Sequence, residues 1–247
     1  MSRPVLEVRD ISIAFGGLRA VDGVSFSAAR HAITTVIGPN GAGKSTLFNM
    51  ISGALKPIQG QVLIDGVEMT GAAPERVKAA GLSRSFQITN LFFELSVAEN
   101  LRLAAQVLEP AARALLPIRR SIRARAKTDE MLERFQLTHR RDELAGNLSH
   151  GDQRRLEIAV CLASEPKILL LDEPTQGMSH QDTAETARLV RALTEDVSVL
   201  LIEHDIGLVM ELSDHVMVMH QGRKLAEGPP AVVRAAPEVQ AAYFGHA

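Results

Sequence analysis

The chain contains 247 residues, of which 46% are hydrophobic and 23% are charged, and its formal net charge at pH 7 is -2. This composition is typical of a globular protein, and the length is sufficient to bury a substantial core. The nearly balanced charge argues against a nucleic-acid-binding protein, which usually carries a strong basic excess, so we expect no nucleic-acid partner. The single cysteine, Cys161, excludes an internal disulfide, and its apolar neighbours favour buried packing over a reactive thiol.

The N-terminal stretch MSRPVLEVRD lacks the apolar segment of a signal peptide. The longest apolar runs, such as VSVLLI and ILLL, are much shorter than the roughly 20 residues that cross a bilayer. We therefore expect a cytoplasmic chain whose association with a membrane depends on a partner.

The first third of the chain contains strand patterns and one helix pattern. Alternating apolar and polar residues in VLEVRDISIAF and VDGVSFSA predict half-buried antiparallel strands. The continuously apolar AITTVIG predicts a buried parallel strand, and KSTLFNMIS predicts a helix after it. QGQVLIDGVEM predicts a hairpin with Asp65 and Gly66 in its turn.

The middle of the chain is helical in pattern, with interruptions at Pro110 and Pro117. The segment from Arg113 to Lys127 is basic without an acidic residue, which fits either a solvated helix face or docking onto a partner or an anionic membrane surface. KILLLDEP, SVLLIEHD and HVMVMHQG then predict three strands between helices, which indicates a mainly parallel sheet flanked by helices. QGRKLAEG predicts a closing antiparallel strand, and EVQAAYFG a final short helix.

GPNGAGKS, from Gly38 to Ser45, matches the full P-loop spacing between a predicted strand and a predicted helix. Glycines let backbone N–H groups point at phosphate oxygens, so Lys44 is expected to reach the terminal phosphates and the Ser45 hydroxyl to bind Mg²⁺. The alternative is a glycine-rich turn without a ligand. The predicted nucleotide-binding residues of this loop are Gly38, Pro39, Asn40, Gly41, Ala42, Gly43, Lys44, Ser45 and Thr46.

ILLLDEP places Asp172 and Glu173 at the end of an apolar strand. Adjacent buried carboxylates are unfavourable unless they are paired or bound to a cation. Asp172 is therefore a predicted Mg²⁺ ligand, and Glu173 is predicted to polarise the attacking water. Together with the P-loop, this strand predicts an ATPase or GTPase.

LSHGDQRRLEIA begins with Ser149, His150, Gly151 and Asp152, in the S-x-x-D form of a capping box. Ser149 is expected to accept an N–H of the first turn, and Asp152 to reach back toward Ser149. This cap requires no nucleotide.

The chain resembles the ATP-binding subunits of ABC transporters over essentially its whole length. The motifs that carry this resemblance, by their order and spacing, are GPNGAGKS, SFQ, LSHGDQRRLEIA, LLLDEPT and LLIEHD. The resemblance implies an α/β P-loop NTPase fold with a mainly parallel core sheet, an N-terminal antiparallel β subdomain and a helical subdomain. It implies one ABC ATPase domain over residues 1–247, with a core in about 1–87 and 165–247 and a helical signature subdomain in 88–164.

The same resemblance implies roles for further residues. Gln87 would link the Mg²⁺ site to the membrane-domain contact, His204 would contact the γ-phosphate, and Phe15 would stack on adenine. Ser149 and Gly151 would close over the ATP held by a facing subunit. Taken alone, Phe15 also fits a core residue, Gln87 a surface amide and His204 an ordinary hydrogen-bonded histidine.

The chain also resembles the larger ATPase subunit of the branched-chain, or hydrophobic, amino acid importer family. The segments that carry this resemblance are FGGLRAVDGVSF, SFQITNLFFELSVAENL, EHDIGLVMELSDHVMVM and the terminal AAYFG. The resemblance implies ATP-driven import and a peripheral location on the cytoplasmic face of the inner membrane. It implies a second ATPase subunit, with a heterodimer favoured over a homodimer, two permeases and a periplasmic substrate-binding protein. The alternatives are the ATPase of a lipopolysaccharide or other exporter, or a soluble non-transport ABC ATPase.

Three features leave questions open. Ser179 stands where family members often have an acidic or amide residue, and Asp152 adds negative charge near an incoming γ-phosphate unless the cap engages it. The apolar patch LFFEL, from Leu91 to Leu95, fits either a docking surface for the permease or a buried core patch.

Overall fold

A computed structural model describes residues 3–85, 91–109 and 121–244 of the chain. The strands are β1 (Leu6–Phe15), β2 (Leu18–Ala28), β3 (Ile33–Ile37), β4 (Gln59–Ile64), β5 (Val67–Glu68), β6 (Leu82–Arg84), β7 (Ile168–Asp172), β8 (Ser198–Ile202), β9 (His215–His220) and β10 (Arg223–Gly228). The α-helices are α1 (Lys44–Ile51), α2 (Pro74–Ala79), α3 (Val97–Ala105), α4 (Ile122–Arg134), α5 (His150–Leu162), α6 (His180–Leu193), α7 (Ile206–Leu212), α8 (Pro230–Ala235) and α9 (Pro237–Phe244). Several residues of the sequence analysis lie outside the described residues: Gln87, Pro110, Pro117, and Arg113, Arg119 and Arg120 of the basic segment.

The central sheet has the strand order β10-β9-β3-β8-β7-β6. The pairs from β9 to β6 are parallel, and β10 closes the edge antiparallel to β9. Every residue of β3, β7 and β8 is buried. A sheet covered on both faces requires such continuous apolar runs, so the predicted mainly parallel sheet is confirmed.

Strand β9 shows how this sheet divides the core. Met217 and Met219 pack into the large apolar cluster that includes β1, β2, β4 and α1. Val216 and Val218 pack into a second cluster with residues of α7, α8 and α9. Because successive side chains point to opposite faces, one strand fills both clusters.

A second sheet, with the order β2-β1-β4-β5, is antiparallel throughout. The predicted hairpin between β4 and β5 is confirmed, with Asp65 at φ 53° and Gly66 at φ 78° in its turn. Two consecutive residues with positive φ are the requirement of the tight hairpin turn that Asp-Gly favours.

The chain divides into two compact units. Unit 1 comprises Met1–Arg84, Lys167–Gln176 and Ala184–Ala247, and it contains both sheets. Unit 2 comprises Ser85–Pro166 and Gly177–Thr183, and helices α3, α4 and α5 lie within it. In the described part of the chain, no helix is long and apolar enough to cross a membrane.

Unit 2 has its own apolar interior. Leu101 of α3, Met131 of α4 and Leu156 of α5 are fully or almost fully buried. Cys161 is only partly buried, because Ile158 and Leu162 occupy the inner face of α5 at this level. The predicted packing role of this cysteine therefore holds only in part.

The predicted cap of α5 is confirmed. The Ser149 side chain accepts the N–H of Asp152 at 3.2 Å, and its hydroxyl donates to Asp152 Oδ2 at 3.0 Å. Such a cap satisfies one of the first-turn N–H groups that lack a partner within the helix.

Candidate functional site

The loop from Gly38 to Ser45 leaves β3 and enters α1 through two close backbone contacts. A Cβ at Gly38 would lie 2.3 Å from the Met219 carbonyl oxygen, and one at Gly43 would lie 2.4 Å from that of Ala20. Gly43 also has a φ of 98°. Only glycine fits both positions, so these two residues fix the loop against β9 and β2.

The outer part of the same loop is open. Gly41 has a φ of 78°, and a Cβ there would meet no atom within 4 Å. The N-terminus of α1 has no side-chain cap. The first-turn N–H groups of an uncapped helix require an external acceptor, and a phosphate is the ligand that such a loop and helix end favour. These features fit the predicted ATP.

Lys44 folds onto its own loop. Its Nζ donates to the Gly38 carbonyl at 2.7 Å and to that of Pro39 at 3.1 Å. Burial lowers the pKa of Lys44, while the negative charges of Glu173 and Asp172 oppose that shift. The structure thus brings the P-loop lysine close to both predicted carboxylates.

Asp172 ends β7 with its side chain 1% exposed, and Arg84 of β6 lies beside it. Arg84 Nη2 donates to Asp172 Oδ2 at 3.3 Å. Its Nη1 donates to Asn49 Oδ1 at 2.6 Å and to Ser52 Oγ at 3.0 Å, both near the end of α1. Burial lowers the pKa of Arg84 and Asp172 opposes this, but a guanidinium stays charged at neutral pH.

Glu173 follows Asp172 with a φ of 47°, in the left-handed region. Its backbone N–H donates to the Ile202 carbonyl of β8 at 2.9 Å, which holds this conformation in place. Residues other than glycine adopt positive φ at a cost that the surrounding structure must offset, and such strain clusters at functional sites. Six other non-glycine residues in the described part of the chain also have a positive φ, so the assignment of a function to Glu173 rests on its place after Asp172.

Phe15 and His204 are both exposed. Phe15 ends β1, pairs with Leu18 across the β1–β2 turn, and is 50% exposed, which excludes the core alternative. His204 follows β8, its side chain is 58% exposed, and its Nδ1 lies 3.4 Å from Oε1 of the buried Glu203.

Ser149 and Gly151 lie in unit 2, at the start of α5. Ser179 caps α6 in the same way, since it accepts the Asp182 N–H at 3.2 Å and donates to Asp182 Oδ2 at 2.7 Å. The position of a Cβ at Gly151 is 3.8 Å from Asp182 Oδ1. Ser179 thus retains a helix-capping role, and a second carboxylate joins Asp152 near Gly151.

The LFFEL patch in unit 2 is split between core and surface. Leu91 is buried, whereas Phe92 is 61% and Phe93 is 43% exposed. The buried Asn100 side chain accepts the Phe92 N–H at 2.9 Å and donates to its carbonyl at 3.1 Å. These bonds fix the Phe92 backbone in a segment that exposes both aromatic side chains.

The oxygen donors fit Mg²⁺. Ser45 offers a hydroxyl and Asp172 a carboxylate, which are hard ligands of the kind this ion takes. In the described part of the chain, no group of three or more His, Cys, Asp or Glu residues is placed to hold a metal. A magnesium ion that is completed by phosphate oxygens requires no such group.

Arg84 and Glu203 were missed from the sequence. Arg84 immediately precedes the SFQ motif, and Glu203 lies inside LLIEHD at the end of an apolar run, so a charged residue in or beside a recognised motif was the available signal. Gln87, the remaining predicted site residue, lies outside the described residues.

Comparisons with known proteins agree with this geometry. The sequence profile of the ABC transporter family matches residues 21–176. The profile of the branched-chain amino acid ATP-binding cassette transporter matches residues 223–247. The chain is 42% identical to the high-affinity branched-chain amino acid transport ATP-binding protein BraF of Pseudomonas aeruginosa, with 100% of both chains covered. It is 40% identical to the LivG protein of the same description from Escherichia coli, again with 100% of both covered.

Solved structures give the same result. A nucleotide-free ATP-binding cassette from an ABC transporter has a TM-score of 0.87 and 32% identity, with 99% of this chain and 100% of that chain covered. The ADP conformation of an ATP-binding cassette of an ABC transporter has a TM-score of 0.86 at the same 32% identity and coverage. The predicted fold class is confirmed, and the chain belongs to the ABC transporter family as an ATP-binding and ATP-hydrolysing subunit.

Proposed function

We propose that this chain is the ATP-hydrolysing motor of an importer for branched-chain amino acids, with Mg²⁺ as its metal ion. The observation that carries the substrate class is the full-length identity to BraF and LivG, whose names specify branched-chain amino acid transport. The family match at residues 223–247 favours the same class over an exporter or a non-transport ABC ATPase.

The P-loop would hold ATP by its backbone and by Lys44. In the structure the Lys44 ammonium donates to the Gly38 and Pro39 carbonyls, and phosphate oxygens would replace these neutral acceptors with charged ones. Phosphate oxygens would add the attraction between opposite charges to these hydrogen bonds. Phe15, half exposed at the end of β1, would stack on the adenine.

Asp172 and Ser45 would hold Mg²⁺, which would neutralise negative charge on the phosphate groups. Glu173 would accept a proton from the attacking water, and its fixed backbone suits that orienting role. His204 would donate to the γ-phosphate side, and Gln87 would complete the metal site. Hydrolysis needs no covalent intermediate, because these groups act by positioning and by charge stabilisation.

A facing ATPase subunit would complete each site. Ser149 and Gly151 at the N-terminus of α5 offer a hydroxyl, backbone N–H groups and the positive end of a helix dipole. ATP binding would draw two subunits together and hydrolysis would release them. We propose a heterodimer of two ATPase chains.

Phe92 and Phe93 would form part of the permease-docking surface. Exposed aromatic pairs are unfavourable in water, and the Asn100 side chain fixes the Phe92 backbone by accepting its N–H and donating to its carbonyl. Two permeases and a periplasmic binding protein would complete the assembly, with this chain peripheral on the cytoplasmic membrane face.

The proposed function is tested by co-expressing this chain with the neighbouring ATPase, permease and binding-protein genes. The purified complex in lipid should hydrolyse ATP faster when the binding protein carries leucine, isoleucine or valine than when it is empty. A complex that forms but responds to none of these amino acids would reject the substrate class. Failure to purify with any permease would reject the transport role.

Glu173→Gln should lower kcat for ATP hydrolysis by about 10²–10⁴-fold, the usual contribution of a general base, while ATP still binds. Steady-state turnover and nucleotide calorimetry measure the two quantities. Glu195→Gln, an exposed acidic residue near the end of α6, is the control and should change neither. Turnover near the wild-type rate in Glu173→Gln would disprove the role.

Arg84→Met should destabilise the nucleotide-free chain by about 3–5 kcal/mol, because Asp172 would remain as a buried charge without its guanidinium. Mg²⁺-ATP should raise the melting temperature more in this variant than in wild type, since the cation then compensates Asp172. Thermal unfolding with ATP alone and with Mg²⁺-ATP measures both effects.

Arg84→Lys should lose less stability, and Arg9→Met, which breaks an exposed pair with Glu7, should lose little. Equal melting temperatures for Arg84→Met and wild type would show that the Arg84–Asp172 pair does not contribute to the stability of the folded chain.

Asp152→Gln should strengthen ATP-dependent subunit association by about 2–5-fold, because it removes a negative charge beside the phosphate site and leaves Ser149 as the cap. The gain is small because the Ser149 hydroxyl and Arg155, at 3.9 Å, already offset this carboxylate. Sedimentation with ATP, in a Glu173→Gln background, measures it. Asp142→Asn, an exposed acidic residue, is the control, and unchanged or weaker association in Asp152→Gln would refute a penalty from Asp152.

A further inference from the structure

Glu203 is a buried carboxylate between two predicted site segments of unit 1. It follows the last residue of β8 and is 0% exposed. Its Oε2 accepts the Thr175 hydroxyl at 3.0 Å, and its Oε1 accepts the backbone N–H of His204 at 3.1 Å. In the described ranges its only salt-bridge partner is His204, whose Nδ1 lies 3.4 Å from Oε1.

A carboxylate is an unfavourable residue for this position if packing is its only task. Burial of an ionised group removes its hydration, and neither Lys nor Arg compensates Glu203 in the described part of the chain. An apolar residue of similar size would usually serve the core as well or better. The hydrogen bonds of Glu203 therefore point to a role outside the core.

One of those bonds reaches the segment of Glu173. Thr175 lies two residues after Glu173, and the turn between them closes through the Gln176 N–H, which donates to the Glu173 carbonyl at 3.2 Å. This turn follows directly from the left-handed backbone of Glu173. The Thr175–Glu203 bond thus anchors the turn in which the proposed water-orienting residue stands.

The other contacts reach the proposed switch histidine. Glu203 fixes the His204 backbone and faces Nδ1 of its ring, which leaves Nε2 as the ring nitrogen for the substrate. Glu203 therefore contacts both the turn that follows Glu173, the proposed water-orienting residue, and His204, the proposed γ-phosphate contact.

We propose that Glu203 is a positioning residue for ATP hydrolysis, which couples the Thr175 turn to His204 so that Glu173 and His204 are aligned together. This inference rests on the proposed roles of Glu173 and His204. Loss of the Glu203 contacts should therefore lower kcat, whereas nucleotide binding depends on the P-loop.

The test is a double-mutant cycle with Thr175→Val and Glu203→Gln in the assembled transporter. Each single substitution should lower kcat about tenfold with the KM for ATP changed less than about twofold, because an interaction needed in the transition state is lost. The double variant should resemble either single one, since both remove the same link. Thr175→Ser keeps the hydroxyl and should restore most of kcat.

Thr35→Val is the control for the general effect of losing a hydrogen-bonded threonine hydroxyl. Thr35 is fully buried in β3 and pairs with Ser213 at 2.6 Å, away from the turn. It should lower the melting temperature at least as much as Thr175→Val while leaving kcat near wild type.

Three outcomes would overturn the positioning role: unchanged kcat in both single variants, additive losses in the double variant, or a Thr35→Val loss of kcat equal to that of Thr175→Val. If Glu203→Gln fails to fold, the comparison of Thr175→Val, Thr175→Ser and Thr35→Val still decides. An unmodified complex that binds but does not hydrolyse ATP would reject the proposed function, which is a separate result.

Discussion

The candidate site depends on where buried parallel strands can place polar groups. Strands β3, β7 and β8 are buried along their whole length, so charged chemistry is confined to their ends. Because the three strands are parallel neighbours, their carboxyl ends meet at one edge of the sheet. The P-loop, the Asp172–Glu173 pair and the Glu203–His204 pair leave the sheet there. The strand order thus brings the candidate site together from segments that are far apart in sequence.

Charge at this edge is balanced by short links between neighbouring segments. Lys44 lies on P-loop carbonyls within the electrostatic reach of Glu173 and Asp172, and Arg84 connects Asp172 to the end of α1. Glu203 in turn connects the turn after Glu173 to His204. These links hold the P-loop, the end of β7 and the end of β8 in fixed positions, and such pre-organisation is what the proposed phosphoryl transfer would require.

Features that depend on local sequence patterns were predicted from the sequence, whereas features that depend on tertiary contacts were not. The apolar runs of β3, β7 and β8, the Asp65–Gly66 turn and the Ser149 cap follow from local patterns, and all are confirmed. The Ser179 cap has the same S-x-x-D pattern, although this local role was not predicted from the sequence. Arg84 and Glu203 gain their meaning from partners that are up to 88 positions away, which no local pattern reveals. The assigned roles of the individual site residues stay predictions.

The most direct test of a hydrolysis-driven importer is uptake by sealed vesicles that contain this chain, the second ATPase and both permeases. With the binding protein and labelled leucine outside, accumulation should occur when ATP is enclosed and should stop when a non-hydrolysable ATP analogue replaces it. Accumulation with the analogue, or none in vesicles that hydrolyse the enclosed ATP, would contradict the account.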